Sequence, residues 1–307
     1  MSRLVGIVVV LYNAFDDLEI CMRSISKQTY SNYKIIIVDN ASTDGSGKKA
    51  QAAYSNDARV ILNSDNLGYP GAVNVGIREV KKMGCDYLFL LNEDMKLEDE
   101  CLNALMTAAE KHPEAGAFGS LIYYMDTPKE IWAFGGSVAL PTCTCNHFGE
   151  EALDRTVDSV LEVDYLPGTS VMYRTAIFEK TGPLDEELFM YWDDPDICFR
   201  IKKAGYKNLA VKNSVSYHKV GARQGHFNQV TTYYPMRSLL IFASKHLTPL
   251  QKIFFYPYSV FFLIKKLSAI VLGKLIKNRR LAAVRFRLTI AAYVDFWLGR
   301  RGRRELS

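Results

Sequence analysis

Apolar residues run unbroken over 4–11 (LVGIVVVL), most of them β-branched, which is the pattern of a strand buried on both faces. Residues 15–29 then change period: Leu18, Cys21, Met22 and Ile25 recur at three- and four-residue spacing, as on one face of a helix. A second buried strand, KIIIV over 34–38, ends at Asp39, and NASTDGSG after it reads as a turn leading into a helix start. RVIL over 59–62 predicts a third strand. The loop NSDNLGYPG leads into a helix from about Ala72 to Met83. A fourth strand, YLFLL, runs into Asn92-Glu93-Asp94, and the helical pattern KLEDECLNALMTAAEK follows. Residues 115–165 predict irregular strands and loops. VMYR and LAVKNSVSYH predict later strands, and from about Tyr233 the chain turns helical, aromatic and basic.

Strands alternating with helices predict an open, mostly parallel α/β sheet flanked by helices. Ligands of such sheets bind beyond the carboxyl ends of the strands. Polar residues gather at those ends here: Tyr12-Asn13, Asp39-Asn40, Asn63 to Asn66, and Asn92 to Asp94. Four strands that each deliver polar groups to one edge carry more weight than any single motif.

At 307 residues the chain is long enough for a catalytic domain and an appendage. The net charge of +5 hides a division along the chain. From Lys245 to Ser307 there are 14 Lys/Arg against Asp295 and Glu305, so an acidic body carries a basic tail suited to an anionic surface. Six scattered cysteines and an N-terminus that enters VGIVVVLYN without a secretory pattern set the expectation of free thiols in a reducing compartment. Cys143-Thr-Cys145 is too tight and isolated for a zinc site.

Several segments could carry chemistry. A carboxylate at Asp94, ending a buried strand, suits a divalent cation that grips a diphosphate; the bland alternative is a helix cap. Tyr191-Trp192-Asp193-Asp194-Pro195-Asp196 crowds three carboxylates into four positions at a helix start. Capping explains one of them, and a general base beside a metal-bound diphosphate explains more. Gly168-Thr169-Ser170 precedes a strand, where glycine permits close approach of an acceptor or phosphate. His218 ends a strand downstream of the acids, where a third metal ligand is expected. Asn66-Leu67-Gly68-Tyr69-Pro70-Gly71 precedes a helix N-terminus, as a nucleotide contact requires. It is neither a dinucleotide fingerprint nor a P-loop.

In this order, VVVLYN, IIIVDNASTDGS, NLGYPGAVNVGI, LLNEDMKLE, GTSVMYRTAIFEKTGPLDEELFMYWDDPDICFRIKKAGY and VSYH resemble the family 2 glycosyltransferases of the GT-A fold, above all rhamnosyltransferase-like members. The resemblance spans roughly residues 4–245. It implies a catalytic domain over 1–245, with a nucleotide-binding half to about 112 and an acceptor half after it, and an extension over 246–307. It implies that Leu11, Tyr12 and Asn13 line the base and ribose site, that Asp39 contacts the nucleoside with Asn40 nearby, and that Asn66, Gly68 and Asn74 hold nucleotide or donor sugar. Asp94 is implied to bind Mg²⁺ or Mn²⁺, supplemented by Asn92 beside Glu93, with His218 completing the metal or diphosphate site. Asp193 and Asp194 match the family's acidic pair, with Asp194 the preferred base, and Gly168, Thr169 and Trp192 fall on the acceptor side. The implied reaction inverts at the anomeric carbon, taking a sugar from dTDP-rhamnose or a UDP-sugar to a glycan or a polyprenyl-diphosphate-linked acceptor. Two departures stand out: Asn92 replaces an acid, and position 193 is Asp where Glu is frequent.

In the tail, IFFYPYSVFFLI is twelve residues long before Lys265-Lys266, too short to span a bilayer, and the combined stretch 253–276 could span only with two buried lysines. With Pro257 and the basic pattern over 274–304, it reads as an interfacial segment on an anionic membrane, placing the protein on the cytoplasmic face. The alternative is a helical pair packed on the catalytic domain or forming a homodimer. Two rival functions fare worse. A sugar-nucleotide pyrophosphorylase needs a basic, glycine-rich loop where this chain has LYNAFDD. A nucleic-acid binder is disfavoured by the acidic body.

Overall fold

The computed structural model describes residues 2–220, 228–274 and 279–306. The N-terminal half alternates β1 (Val5–Leu11), α1 (Phe15–Ile25), β2 (Tyr33–Asp39), α2 (Ser46–Tyr54), β3 (Ala58–Leu62), α3 (Gly68–Lys82) and β4 (Tyr87–Asn92). It continues through β5 (Met95–Leu97), α4 (Cys101–Lys111), β6 (Ala115–Tyr124), β7 (Ile131–Ala133), β8 (Gly136–Ala139), β9 (Thr144–His147), β10 (Val160–Glu162) and β11 (Ser170–Arg174). Then come α5 (Ile177–Thr181), α6 (Asp193–Lys203), β12 (Lys207–His218), α7 (Gln229–His246), α8 (Pro249–Lys274) and α9 (Arg279–Trp297).

The main sheet has the order β3-β2-β1-β4-β11-β6-β12-β10. The β3-β2-β1-β4 half is parallel, β11 runs antiparallel between β4 and β6, and β6 is parallel to β12. Each face of β1 buries its own set of side chains: Val8 and Val10 join one apolar cluster, and Val5, Ile7, Val9 and Leu11 join the other. Full burial of such a side chain stabilises by roughly 1.5–3 kcal/mol, which is why an unbroken apolar run forms here. The predicted helical face of α1 is the buried one, with Leu18, Cys21, Met22 and Ile25 inward.

Four expectations need correction. Residues 115–165 contain a regular ten-residue strand, β6, which lies between β11 and β12 in the main sheet. Its small residues, AGAFGS, mask the strand pattern because Ile177, Ile201 and Leu166 pack directly over Gly116 and Gly119. Helix α3 begins at Gly68, four residues earlier than the pattern suggests. Pro70 is accommodated because first-turn amides lack helical partners, and Asn66 Oδ1 accepts the Gly68 N–H at 2.9 Å. The segment after Asp94 is first a strand, β5, and only then a helix.

The fourth correction concerns the tail. Helix α8 runs 26 residues straight through Pro257 and Lys265-Lys266. Its stretch Pro249–Leu272 contains an 18-residue window of mean hydropathy 1.4, long and apolar enough by length and composition to cross a membrane. Residues 246–307 also share the body's core, because Phe255, Leu288, Ala292, Tyr293 and Phe296 belong to the apolar cluster that holds Val8 and Val10. Within the predicted basic helix, residues 275–278 lie outside the described residues, and α9 ends at Trp297.

Candidate active site

Strand pairing brings the first acid to the histidine. In the antiparallel β5–β12 pair, Met95 sits opposite His218. This seats His218 Nε2 3.3 Å from Asp94 Oδ2. Lys219 N–H donates to the Asp94 carbonyl at 3.0 Å, closing the same turn. Trp132 stands edge-on to His218, with ring centroids 4.5 Å apart. Asp94 Oδ1, Asn92 Oδ1, His218 Nδ1 and Thr169 Oγ1 are buried with no hydrogen-bond partner. Native proteins rarely leave such atoms orphaned unless water, an ion or a ligand meets them.

Among the described residues, no cluster of three or more His, Cys, Asp or Glu side chains is gathered as a closed metal cage. The donor set fits an open cation site instead. Mg²⁺ typically takes one or two carboxylates and leaves the remaining positions to water and phosphate oxygens.

The second acidic centre is reached through β11. Asn92 N–H donates to Thr169 O at 3.2 Å, so the residues preceding β11 lie beside the end of β4. Gly168, next in line, is where Asp194 rests. A Cβ on Gly168 would fall 2.3 Å from Asp194 Oδ1, and the Gly168 N–H is hydrogen-bonded to that carboxylate. The absence of a side chain at this glycine is what lets the Asp194 carboxylate come so near the backbone. Tyr69, whose hydroxyl donates to Gly168 O at 2.9 Å, feels the charges of Asp193, Asp194, Glu93 and Asp94, so it stands among both acidic centres.

The loop before α6 is strained. Phe189, Tyr191 and Trp192 have φ of 63°, 65° and 69°, a left-handed conformation costly for side chains of this size. Ser238 Oγ donates to Leu188 O and Met190 O at 3.1 and 2.9 Å, and Tyr69 N–H donates to Phe189 O at 2.9 Å. These bonds keep the loop in place and set where α6 begins. Burial, then the Asp194 charge, drives the Asp193 carboxyl well above its usual range. Burial lifts Asp194 to about 6, opposed by the Gly168 N–H. Asp196 has a different role. Burial is outweighed by His246 at 2.7 Å and by Arg200 Nη2 at 2.7 Å, which keep its carboxyl low and make it a structural anchor.

Two adjoining cavities open at this edge. One, of about 600 Å³, is walled by Asp39, Ser42, Gly47, Lys48, Asn63 and Asp65 among others. The other, of about 870 Å³, includes Asn92, Glu93, Tyr69, Met190 and Tyr234. Asp39 is 4% exposed, with Oδ2 accepting the Ser42 N–H at 3.2 Å and Oδ1 orphaned. Gly47 lies against it, since a Cβ there would come within 2.5 Å of Asp39 Oδ2. Tyr12 and Asn66 line both cavities.

Other expected site residues are held by bonds within the protein, although Asn40 also lines the larger cavity. Leu11 is fully buried in the core, and only its carbonyl acts at the edge, accepting Asn40 N–H at 2.9 Å. Asn13 Oδ1 accepts Thr43 and Asp44 N–H and shapes the β2–α2 loop. Asn40 is nearly saturated, bonded to Asn63, Asn66, Leu67 and Gly68. Gly68 packs on Phe189 and offers its carbonyl to Asn40. Asn74 is 2% exposed and turned away from the cleft, where it bonds both backbone groups of Leu184 and the Glu186 carboxylate. Trp192 packs on Phe242, with ring centroids 4.9 Å apart. Tyr69, Gly47 and the C-terminal Arg303 belong to the cleft without any individual signal in the sequence; for Gly47 the only hint is the glycine doublet in DGSG.

Comparison with known proteins places this geometry. Residues 6–135 match the description Glycosyl transferase family 2. The chain is 30% identical over 238 residues to N-acetylglucosaminyl-diphospho-decaprenol L-rhamnosyltransferase of Mycobacterium tuberculosis, covering 71% of this chain and 77% of that protein. It is 26% identical over 204 residues to a low-salt glycan biosynthesis hexosyltransferase of Haloferax volcanii, covering 64% and 61% respectively. The mannosyltransferase PcManGT from Pyrobaculum calidifontis, solved with GDP-Man and Mn²⁺, superposes with TM-score 0.58 at 15% identity over 98% of this chain and 89% of that one. GalNAc-T7, solved with UDP, GalNAc and Mn²⁺, superposes with TM-score 0.63 at 17% identity over 79% of this chain and 48% of that one. With the GT-A architecture and a rhamnosyltransferase relative matched over most of its length, the chain belongs to the family 2 glycosyltransferases.

Proposed function

We propose that this glycosyltransferase is an inverting, divalent-cation-dependent enzyme that moves rhamnose or a related hexose from dTDP-rhamnose or a UDP-sugar to a hydroxyl of a glycan or polyprenyl-diphosphate-linked acceptor. The observation that carries the reading is the seating of Asp194 on Gly168, the residue before Thr169, whose carbonyl accepts the N–H of Asn92, two residues before the Asp94 that pairs with His218. The nucleoside occupies the Asp39 cavity, between Tyr12 and Asn66. Asp94 and His218 hold Mg²⁺ or Mn²⁺, with Asn92 beside them. When bound, the cation neutralises charge on the leaving diphosphate.

Asp194 accepts the acceptor's hydroxyl proton as that oxygen bonds to the anomeric carbon, while the carbon–oxygen bond to the diphosphate breaks and a nucleoside diphosphate leaves. A carboxyl at about 6 is ionised at neutral pH yet basic enough to take the proton. The relative's decaprenol-linked acceptor, together with the apolar surface of α8, supports a lipid-linked acceptor at the cytoplasmic face of a membrane. The test is nucleoside diphosphate release from a panel of dTDP-, UDP- and GDP-sugars with Mg²⁺ or Mn²⁺. Release from at least one donor is expected. Asp94→Ala and Asp194→Asn should each abolish transfer and still melt cooperatively, and near-normal turnover by either removes its assigned role.

A further inference from the structure

Three residues wall both cavities of the cleft: Tyr12, Asn66 and Arg303. A ligand with its nucleoside in the Asp39 cavity and its far end toward Asn92-Glu93 must cross the rim that they share. In a nucleoside-diphosphate sugar the crossing group is the diphosphate. Arg303 is the one cation of the three, and guanidinium is the side chain best matched to phosphate oxygens.

The chain holds Arg303 there through a buried polar framework. Gly302, before it, donates its N–H to Glu187 O at 2.9 Å and accepts from Arg237 Nη2 at 2.6 Å. Arg304, after it, donates its N–H to Tyr234 Oη at 3.0 Å, and its guanidinium pairs with Asp295. Tyr233 Oη donates to Asp295 Oδ2 at 2.5 Å. Arg237 and Asp295 are each 1% exposed. Burying charges costs several kcal/mol apiece unless they are paired and hydrogen-bonded, and here the bonds converge on residues 300–304. The same Arg237 also donates to Leu188 O, at the base of the strained loop that leads to Asp193 and Asp194. Backbone anchors thus flank Arg303 on both sides. Its own exposed guanidinium makes no ion pair or hydrogen bond among the described residues.

We propose that the C-terminal strap completes the donor site, with Arg303 taking the diphosphate of the nucleotide-sugar at the junction of the two cavities. The proposal rests on the nucleotide-sugar reading above. The test is calorimetric titration of the full chain with UDP, dTDP and GDP in Mg²⁺, comparing wild type, Arg303→Ala and Arg303→Lys, with a thermal melt of each. For every diphosphate that wild type binds, Arg303→Ala should weaken binding at least tenfold with an unchanged melting temperature. Arg303→Lys should recover part of the loss, and binding to the Ala variant should depend less on salt. A change of less than twofold, or a loss matched by a lowered melting temperature, overturns the assignment of Arg303 alone. If wild type binds none of the three, the nucleotide-sugar reading fails and Arg303 fails with it.

Discussion

Asp193 and Asp194 are adjacent in the chain but differ in surroundings. Asp193 is 5% exposed, its Oδ2 without a partner, and burial beside Asp194 makes its charged form costly. Asp194 has the Gly168 N–H and settles at about 6. Two consequences follow for pH. A base must be ionised to act, so turnover should rise about tenfold per pH unit up to about 6 and level above it, in a profile that Asp194→Asn erases. A carboxyl raised in the folded state stabilises the fold fully below its unfolded value near 3.8, and this contribution is lost as pH rises through the folded value. Wild type therefore carries a penalty at neutral pH that Asp193→Asn removes. In EDTA the Asn variant should melt at least about 2 °C above wild type at pH 7.5, with the gain vanishing near pH 4. Equal melting temperatures at both pH values would show that Asp193 is not held against its ionisation.

At the scale of elements, the site depends on two strand registers and one constrained loop. The pairing of Met95 with His218 and of Leu91 with Ser170 brings Asp94, His218 and Gly168 to one edge. The loop over 188–192 then sets the start of α6. Ser238→Ala removes the single hydroxyl donor shared by the Leu188 and Met190 carbonyls, so it should cost about 1–3 kcal/mol of stability and lower turnover more than nucleotide affinity. A variant with normal turnover would mean that the loop holds its left-handed residues without help.

The parallel half was legible in the sequence because β1, β2 and β4 are buried on both faces and leave their polar residues at the sheet edge. The other half of the sheet was hidden because β6 uses glycine and alanine where neighbours pack close. The internal bonds of Asn13, Asn40 and Asn74 were hidden for a related reason. An asparagine that satisfies loop backbone and one that binds substrate have the same composition, and only the finished hydrogen-bond network separates them.

The whole molecule joins an acidic body to a basic, aromatic C-terminal section that has two distinct surfaces. Its inner surface is integral to the enzyme: Phe255 is 1% exposed, Ser259 Oγ meets Tyr293 Oη at 2.8 Å, and the strap beyond α9 reaches the cleft. Its outer surface is apolar, with Ile253, Phe254, Phe261 and Leu272 all more than 60% exposed along α8. A water-facing patch of that kind is costly for a soluble monomer. Although α8 is long enough to cross a bilayer, a crossing would place Lys265 and Lys266 within the hydrocarbon at roughly 2.5–3.5 kcal/mol each. Lying in the interface leaves both ammonium groups among lipid phosphates, and the neighbouring arginines add attraction to anionic headgroups. Because removing residues 246–307 would also remove core and strap, the informative variant is the full chain with Phe254→Ser, Phe261→Ser and Leu272→Ser. Wild type should co-sediment with vesicles containing phosphatidylglycerol and be released by high salt only in part. The triple variant should stay in the supernatant while still releasing nucleoside diphosphate from its donor. Equal sedimentation of the two proteins would assign the patch to another partner, whereas extraction of wild type by detergent alone, with no release by salt or alkaline carbonate, would mean that α8 spans the bilayer.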